Sequence, residues 1–239
     1  MRRDILDSLL QAKREKRAAA LVTELESGRQ LLIAGDDSLG DLPSDPDIAR
    51  EAALLIAENR SGVSEDGELF FEVFNPPLRL IVVGAVHIAQ SLVPMAVLGG
   101  YETVVVDLRR AWATGVRFPN VTLIDAWPDE GLRELGLDHR TAVVTLTHDP
   151  KLDDPALLEA IRSPAFYIGA LGSTRTHAKR LDRLAAEGAT ESELARIHGP
   201  AGLAIGARSP AEIAISILAQ MTGMLHHAPR LVKTPEAAA

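Results

Sequence analysis

"LRLIVVGAVHIAQ", residues 78–90, decides how the larger part of this chain is read. A β-branched apolar run stops at a glycine, and a helical pattern opens directly behind it. That strand–glycine–helix junction is how a dinucleotide-binding domain begins, usually as G-x-G-x-x-G/A. Gly84 and Ala89 fit the fingerprint; Val86 stands where the second glycine belongs, and His87 follows it. A branched side chain at that place obstructs the close approach of backbone to a pyrophosphate.

The grammar downstream supports the same fold. "LRLIVV", "ETVVVD", "VTLID", "TAVVTLT" and "AFYIG" are short β-branched runs, most of them separated by helical patterns. Continuous apolar strands alternating with helices predict a parallel sheet covered on both faces. The last helix opens at "SPAEIAISILAQMTGML", with Ser209 as N-cap, Pro210 at the first helical position and Glu212 completing a capping box. Ile213, Ile217 and Met221 form its inner stripe.

Upstream the pattern differs. Residues 3–17 carry Ile5, Leu6, Leu9 and Leu10 among charges, an amphipathic helix. Strand runs "AALVTEL" and "RQLLIAG" precede a helix capped by Asp45 and Pro46, with Ile48, Ala52, Leu55 and Ile56 on one face, and the strand "ELFFEVF" comes last. "NPP" at 75–77 is a rigid break. The expected organisation is a small N-terminal α+β domain over 1–75 and a Rossmann-like, doubly wound α/β domain over 78–228. A frayed tail over 229–239, ending "TPEAAA", completes it.

Composition narrows the function classes. The apolar fraction of 46% and charged fraction of 24% over 239 residues are those of a globular protein with ample core. A net charge of −8 argues against nucleic acid or an anionic membrane as the partner. No run approaches the roughly 18 apolar residues of a membrane span, and the charged N-terminus does not read as a secretory signal, so the expectation is a cytoplasmic protein. With no cysteine, thiolate nucleophiles, disulfides and zinc–thiolate sites are excluded together. The seven histidines show no H-E-x-x-H spacing, and no metal site is expected.

In a doubly wound sheet ligands bind beyond the carboxyl ends of the strands. Four of the five strand ends here carry glycine, histidine, paired charge or hydroxyl. Gly84 and Asp107 match the Rossmann arrangement in which the acid bonds a ribose hydroxyl. Gly84 also reads as a simple strand-to-helix turn, and Asp107 with Arg109 as a local ion pair. His87 is either a ligand or proton group aimed at the crevice or a polar helix start. His148 reads as an acid/base or ligand-binding group; alternatively Asp149–Pro150 is turn chemistry, with Asp154–Pro155 capping the next helix. "GALGSTRTH" is the best anion candidate: Gly169 and Gly172 free the backbone, Ser173 or Thr174 caps a helix, and Arg175 adds a bidentate donor. "HGPAGLAIGARSP" is too apolar for a linker and is expected to pack near the site.

"GAVHIAQSL", "VVVDLRRAWA", "LTHDPKLDDPAL", "YIGALGSTRTHAKRL" and "HGPAGLAIGARSPAEIAISI" resemble, in order, the C-terminal domain of the XdhC/CoxI family over roughly residues 78–222. The resemblance implies an accessory protein for a molybdenum hydroxylase such as xanthine dehydrogenase or carbon monoxide dehydrogenase. Such a protein holds the molybdenum cofactor (molybdopterin), assists its sulfuration and delivers it to the apo-enzyme. Gly84, His87, Asp107, Arg109, His148, Asp149, Gly172, Ser173, Arg175 and Glu212 occupy the family's characteristic positions. The family loop commonly reads G-A-G-H-V-A, so Val86 departs from it too. Where family members usually carry Gly-Gly-Cys before the first-domain helix, this chain reads "AGDDSLGDLPSDPDIAREA". Without a thiolate, what remains for binding is backbone amides, His and Arg; sulfuration occurs either on this chain without a thiolate relay or through a partner cysteine desulfurase.

No nucleophile–base pair or paired carboxylates indicate turnover, so the expectation is a cofactor chaperone rather than a catalyst. The rivals are an NAD(P)-dependent oxidoreductase using Asp107 and His148, and a nucleotide-sensing regulatory protein. Apolar "GLAIGA" and the final helix suggest a homodimer.

Overall fold

The computed structural model describes residues 2–226. The expected tail over 229–239 lies outside them. The chain divides into two compact units, Met1–Pro76 and Pro77–Ala239. Among the described residues no helix is long and apolar enough to cross a membrane.

The first unit holds α1 (Arg3–Arg14), β1 (Ala19–Glu24), β2 (Gln30–Ala34), β3 (Asp37–Gly40), α2 (Pro46–Ala57), β4 (Gly62–Val63) and β5 (Leu69–Phe74). The strands form an antiparallel sheet in the order β3-β2-β1-β5-β4. Alternation along β1 gives each face its own core. Ala19 and Leu21 meet Ile5, Leu9 and Ala12 of α1, whereas Ala20 and Val22 meet Ala52 and Leu55 of α2. The buried stripe of α1 is narrower than its sequence suggests, for Leu6 and Leu10 are exposed. As expected, Asp45 caps α2 by accepting from the Asp47 N–H at 2.7 Å. β3 is exposed along its whole length, so no hydrophobic alternation marks it.

The second unit runs β6 (Leu78–Val83), α3 (His87–Leu98), β7 (Tyr101–Val106), β8 (Thr122–Ile124), α4 (Pro128–Leu135), β9 (Thr141–Thr145), α5 (Pro150–Ile161), β10 (Tyr167–Ala170), α6 (Thr174–Ala186), α7 (Glu191–Leu194), β11 (Ile197–His198) and α8 (Pro210–Leu225). Its six strands are all parallel, in the order β11-β10-β9-β6-β7-β8. Leu80, Val82, Val105, Ala142 and Val144 face α3 and α8; Ile81, Val83, Val106, Val143 and Ile168 face α4, α5 and α6. The chain leaves β6 toward β7 and β8, then returns to β9 on the other side. That reversal puts the topological switch point between β6 and β9. This is the doubly wound α/β fold expected from the sequence.

Two local readings change. Asp149, not Asp154, caps α5, accepting from the Lys151 N–H at 3.0 Å; Pro155 lies inside the helix. Two Asp-Pro pairs carry the same start signal, and the first one is used. The loop after β11 docks on the sheet and on α8: Ala201 N–H donates to Ala170, Gly202 N–H to Gln220 Oε1, and Leu203 N–H to Ser216. Tyr167, buried and stacked on His198 at 5.0 Å, donates to the same Gln220 oxygen at 2.7 Å. Leu203 is half-buried, and Ile205 is exposed.

At the start of that loop the His177 ring lies against Gly199, where an added Cβ would sit 2.1 Å from Nδ1. Burial, reinforced by nearby Arg180, holds the His177 imidazole below its ordinary range. Gly199→Ala is expected to cost about 1–3 kcal/mol by overpacking, and His177→Ala to recover much of that loss, measured by urea unfolding of the four-member cycle. Because folding lowers this pKa, the stability it carries is present above the unfolded value of about 6.5 and falls as the pH drops below it. His177→Gln should flatten the stability loss between about pH 7.5 and about pH 5.

Candidate functional site

Three loops meet at the carboxyl ends of β6, β7 and β9. Gly84 turns the chain out of β6 at φ 107°, and an added Cβ there would lie 2.7 Å from Cγ2 of Thr147 beyond β9. Only a residue without Cβ lets the two loops approach this closely. Val86, at the N-cap of α3, makes no side-chain cap bond and packs against the core of that face. The departure from the glycine fingerprint is thus a packing choice. His87 opens α3 and is exposed.

Asp107 ends β7 with its side chain fully buried. Oδ2 accepts from the Ala85 N–H and from Arg109 Nη2, both at 2.7 Å. Oδ1 accepts from the Arg109 N–H at 2.9 Å and from Arg109 Nε at 2.8 Å. A carboxylate offers about four acceptor positions, and all are filled from within the chain. Burial alone raises the Asp107 carboxyl, but Arg109 and the Ala85 N–H outweigh it and hold it below its ordinary range. Arg109 in turn stacks over Trp112 at 4.9 Å from the ring centroid, and Asp149 and Asp153 add to the field that raises it.

Beyond β9 the chain wraps around Thr147. Its Oγ1 donates to Asp153 Oδ1 at 2.7 Å and accepts from the Asp149 N–H at 3.1 Å. His148 holds a left-handed backbone at φ 62° and is exposed. A non-glycine residue there is uncommon, and histidine is among the types that tolerate it. Beyond β10, Ser173 caps α6 by accepting from the Thr176 N–H at 3.1 Å.

Between α5 and α6 these segments enclose a cavity of about 300 Å³ lined by His148, Pro150, Asp153, Arg175, Thr176, Lys179, Arg180 and Arg183. Arg175, Lys179 and Arg183 recur every four residues along one face of α6; Arg175 stands in the first turn, where the free N–H groups favour an anion, and Arg183 in the last. Arg183 is bound by Asp154 through Nε at 2.5 Å and Nη2 at 2.9 Å. Arg180 is buried and donates from Nη2 to the Leu171 carbonyl at 2.8 Å.

The structure therefore sorts the residues singled out in the sequence. His148 and Arg175 line the cavity; Gly172 and Ser173 shape its α6 edge, a Cβ on Gly172 lying 3.2 Å from Thr176 and 3.7 Å from Arg180. Gly84, Asp107 and Arg109 hold the neighbouring switch-point loops together. Asp149 caps α5, and Glu212 caps α8 by accepting from the Arg208 and Ser209 N–H groups. Asp153, Lys179, Arg180 and Arg183 were missed. The four-residue recurrence of cations in "TRTHAKRLDR" was the available signal for the rim; nothing local marks Asp153.

Asp107→Asn replaces an acceptor by a donor opposite two donors. It is expected to lower stability by about 2–3 kcal/mol and to weaken the wild-type acid dependence, measured by denaturant unfolding across pH. The sign follows from the lowered pKa: the stabilisation is present above the unfolded carboxyl value and lost as the pH falls through the folded one.

Residues 80–221, more than half the chain, match the family model of the XdhC Rossmann domain. The chain is 32% identical over 180 residues to the molybdenum cofactor insertion chaperone PaoD of Escherichia coli, covering 75% of this chain and 49% of that protein. It is 30% identical over 208 residues to a probable xanthine dehydrogenase subunit of Bacillus subtilis, covering 86% and 60%. It thus spans about half to three fifths of these relatives' lengths. A crystal structure titled as a xanthine dehydrogenase from Bacillus halodurans superposes with a TM-score of 0.73 at 25% identity, covering 98% of this chain and 67% of that one. A parallel sheet that reverses beside a glycine loop, together with that extended match, is sufficient: this chain belongs to the XdhC Rossmann domain family.

Proposed function

We propose that the chain binds the molybdenum cofactor and assists its sulfuration and insertion into an apo molybdenum hydroxylase of the xanthine dehydrogenase kind. The basic cavity at the start of α6 carries the proposal. It has the donor set for a phosphate-bearing ligand: Arg175 and Lys179 exposed at the rim, buried Arg180 in the lining and the α6 amides beside them. The bare N–H groups of Arg180 fit the cofactor's phosphate, and backbone amides of the Gly172–Ser173 turn flank it. When bound, the cofactor supplies redox chemistry for the client enzyme; this chain's part is to hold, shield and release it. The chain has no cysteine, so sulfur delivery falls to a partner, for which a cysteine desulfurase has the right chemistry.

The dinucleotide alternative is less well supported. Asp107, the acid that would bond a ribose, has its acceptor positions taken by Ala85 and Arg109.

Purified protein is expected to retain molybdenum cofactor and to bind NAD(H) and NADP(H) weakly or not at all. Micromolar or tighter dinucleotide binding without cofactor retention sinks the proposal. Arg175→Ala should weaken retention about tenfold, roughly 1.4 kcal/mol, with unfolding unchanged. His148→Gly keeps the left-handed backbone without steric cost, so it removes the imidazole alone; it is expected to slow reconstitution of the client enzyme. Wild-type reconstitution by that variant assigns His148 to loop geometry only.

A further inference from the structure

The lining of the cavity contains more charge than attraction of an anion requires. Arg175, Lys179 and Arg183 stand on one face of α6, and behind them lie Asp153 and Arg180, 1% and 2% exposed. Asp153 Oδ1 is engaged by the Thr147 hydroxyl. Oδ2, however, has no hydrogen-bond partner among the described residues, and neither have Nε and Nη1 of Arg180. The two groups approach only to 3.8 Å, Nη2 to Oδ2, beyond hydrogen-bond reach. A buried ion pair ordinarily closes on itself, because every bare donor or acceptor in it is costly.

An open pair of this kind suits a group with two faces: acceptor oxygens toward Arg180 and a donor hydrogen toward Asp153. An ionised carboxylate only accepts. Burial pushes the Asp153 carboxyl up, against the pull of Thr147 and Arg180, which makes its bare Oδ2 a strong acceptor for a hydrogen that the ligand brings. A water molecule supplies the hydrogen but brings no counter-charge to Arg175 and Lys179, which have no ion pair among the described residues. A phosphate that keeps one proton supplies both.

We propose that the cavity takes a phosphate group bearing one proton, with Arg180 donating to its charged oxygens and Asp153 Oδ2 accepting from its P–O–H. This rests on the anion-seat reading above and adds a selection rule to it. Inorganic phosphate is admitted with the proton it keeps at neutral pH, and a monoester, whose second pKa is about 6, after taking up one from water. Sulfate has no proton to offer near neutral pH, so it sets an oxyanion against a desolvated carboxylate and is refused. Asp153 acts against the wrong anion, as residues that confer specificity often do.

The test is calorimetric titration of the whole chain with inorganic phosphate and with sodium sulfate, at neutral pH and matched ionic strength. Wild-type protein is expected to prefer phosphate by at least about tenfold. In Asp153→Asn an amide donor replaces Oδ2, sulfate binding improves and the preference falls below about threefold. Equal wild-type affinities for the two anions, or no phosphate binding, overturn the proposal even if Asp153→Asn fails to fold. A small phosphomonoester that competes with phosphate assigns the site to the head group of a larger ligand; failure to compete assigns it to free phosphate, and both keep the selection rule. Cofactor retention without anion selectivity removes only the role of Asp153. Selectivity without cofactor retention removes the cofactor reading and leaves the phosphate site standing.

Discussion

The carboxylate of Asp107 stands at the end of β7 with four N–H groups on its two oxygens, and the loop beyond β6 is fixed by it. The Ala85 amide is one of those donors. Gly84 is therefore held in its left-handed turn, flush against Thr147 in the loop beyond β9. Thr147 organises the next loop through Asp149 and Asp153. One buried acid thus sets the first of a series of contacts that ends at the cavity wall. Because the donors are backbone amides and a guanidinium, the series is stiff: each group has one partner geometry in a medium where leaving it costs desolvation.

The ionic residues divide by what they touch. Arg183 is matched to Asp154 and Arg109 to Asp107, each with two nitrogens on two oxygens. Bidentate pairing satisfies both partners and cross-links elements: α5 to α6 in the first case, the β7 end to its own loop in the second. Asp153 and Arg180 are more deeply buried than Arg183 and Arg109 but less completely paired. Incomplete pairing is costly for a fold, and here one bare acceptor and two bare donors come together at the wall of one cavity. Proteins commonly keep such local conflicts where a ligand resolves them.

Much of the second unit was legible because its signals are local. Strand periodicity, the Ser209–Pro210–Glu212 cap and the Ser173 cap each depend on residues within a few positions of one another, and each is found as read. The start of α5 was misread because Asp149–Pro150 and Asp154–Pro155 carry the same local signature; only the tertiary contact of Asp153 with Thr147 separates them. β3, β4 and β11 are short or fully exposed and present no period to detect. Of the candidate site, the glycine turns and Arg175 were visible in sequence. Asp153 and Arg180 were not, since their relation exists only once α5 and α6 pack side by side. Val86 was legible as a departure from the glycine fingerprint but not as a residue packed on the core, since a half-buried side chain and a ligand-facing one look alike in one dimension.

The row of cations on α6 belongs to a molecule whose net charge is −8. At distance an approaching dianion meets an overall repulsive field; only within about one Debye length, roughly 8 Å at physiological ionic strength, do Arg175 and Lys179 dominate what it feels. Capture is then a short-range event without long-range guidance. Moderate salt screens the repulsive approach before it weakens the contacts inside, so the encounter rate for an anionic ligand should pass through a maximum as ionic strength rises. The acidic surface keeps adventitious anions at arm's length, and the helix face admits those that are brought to it.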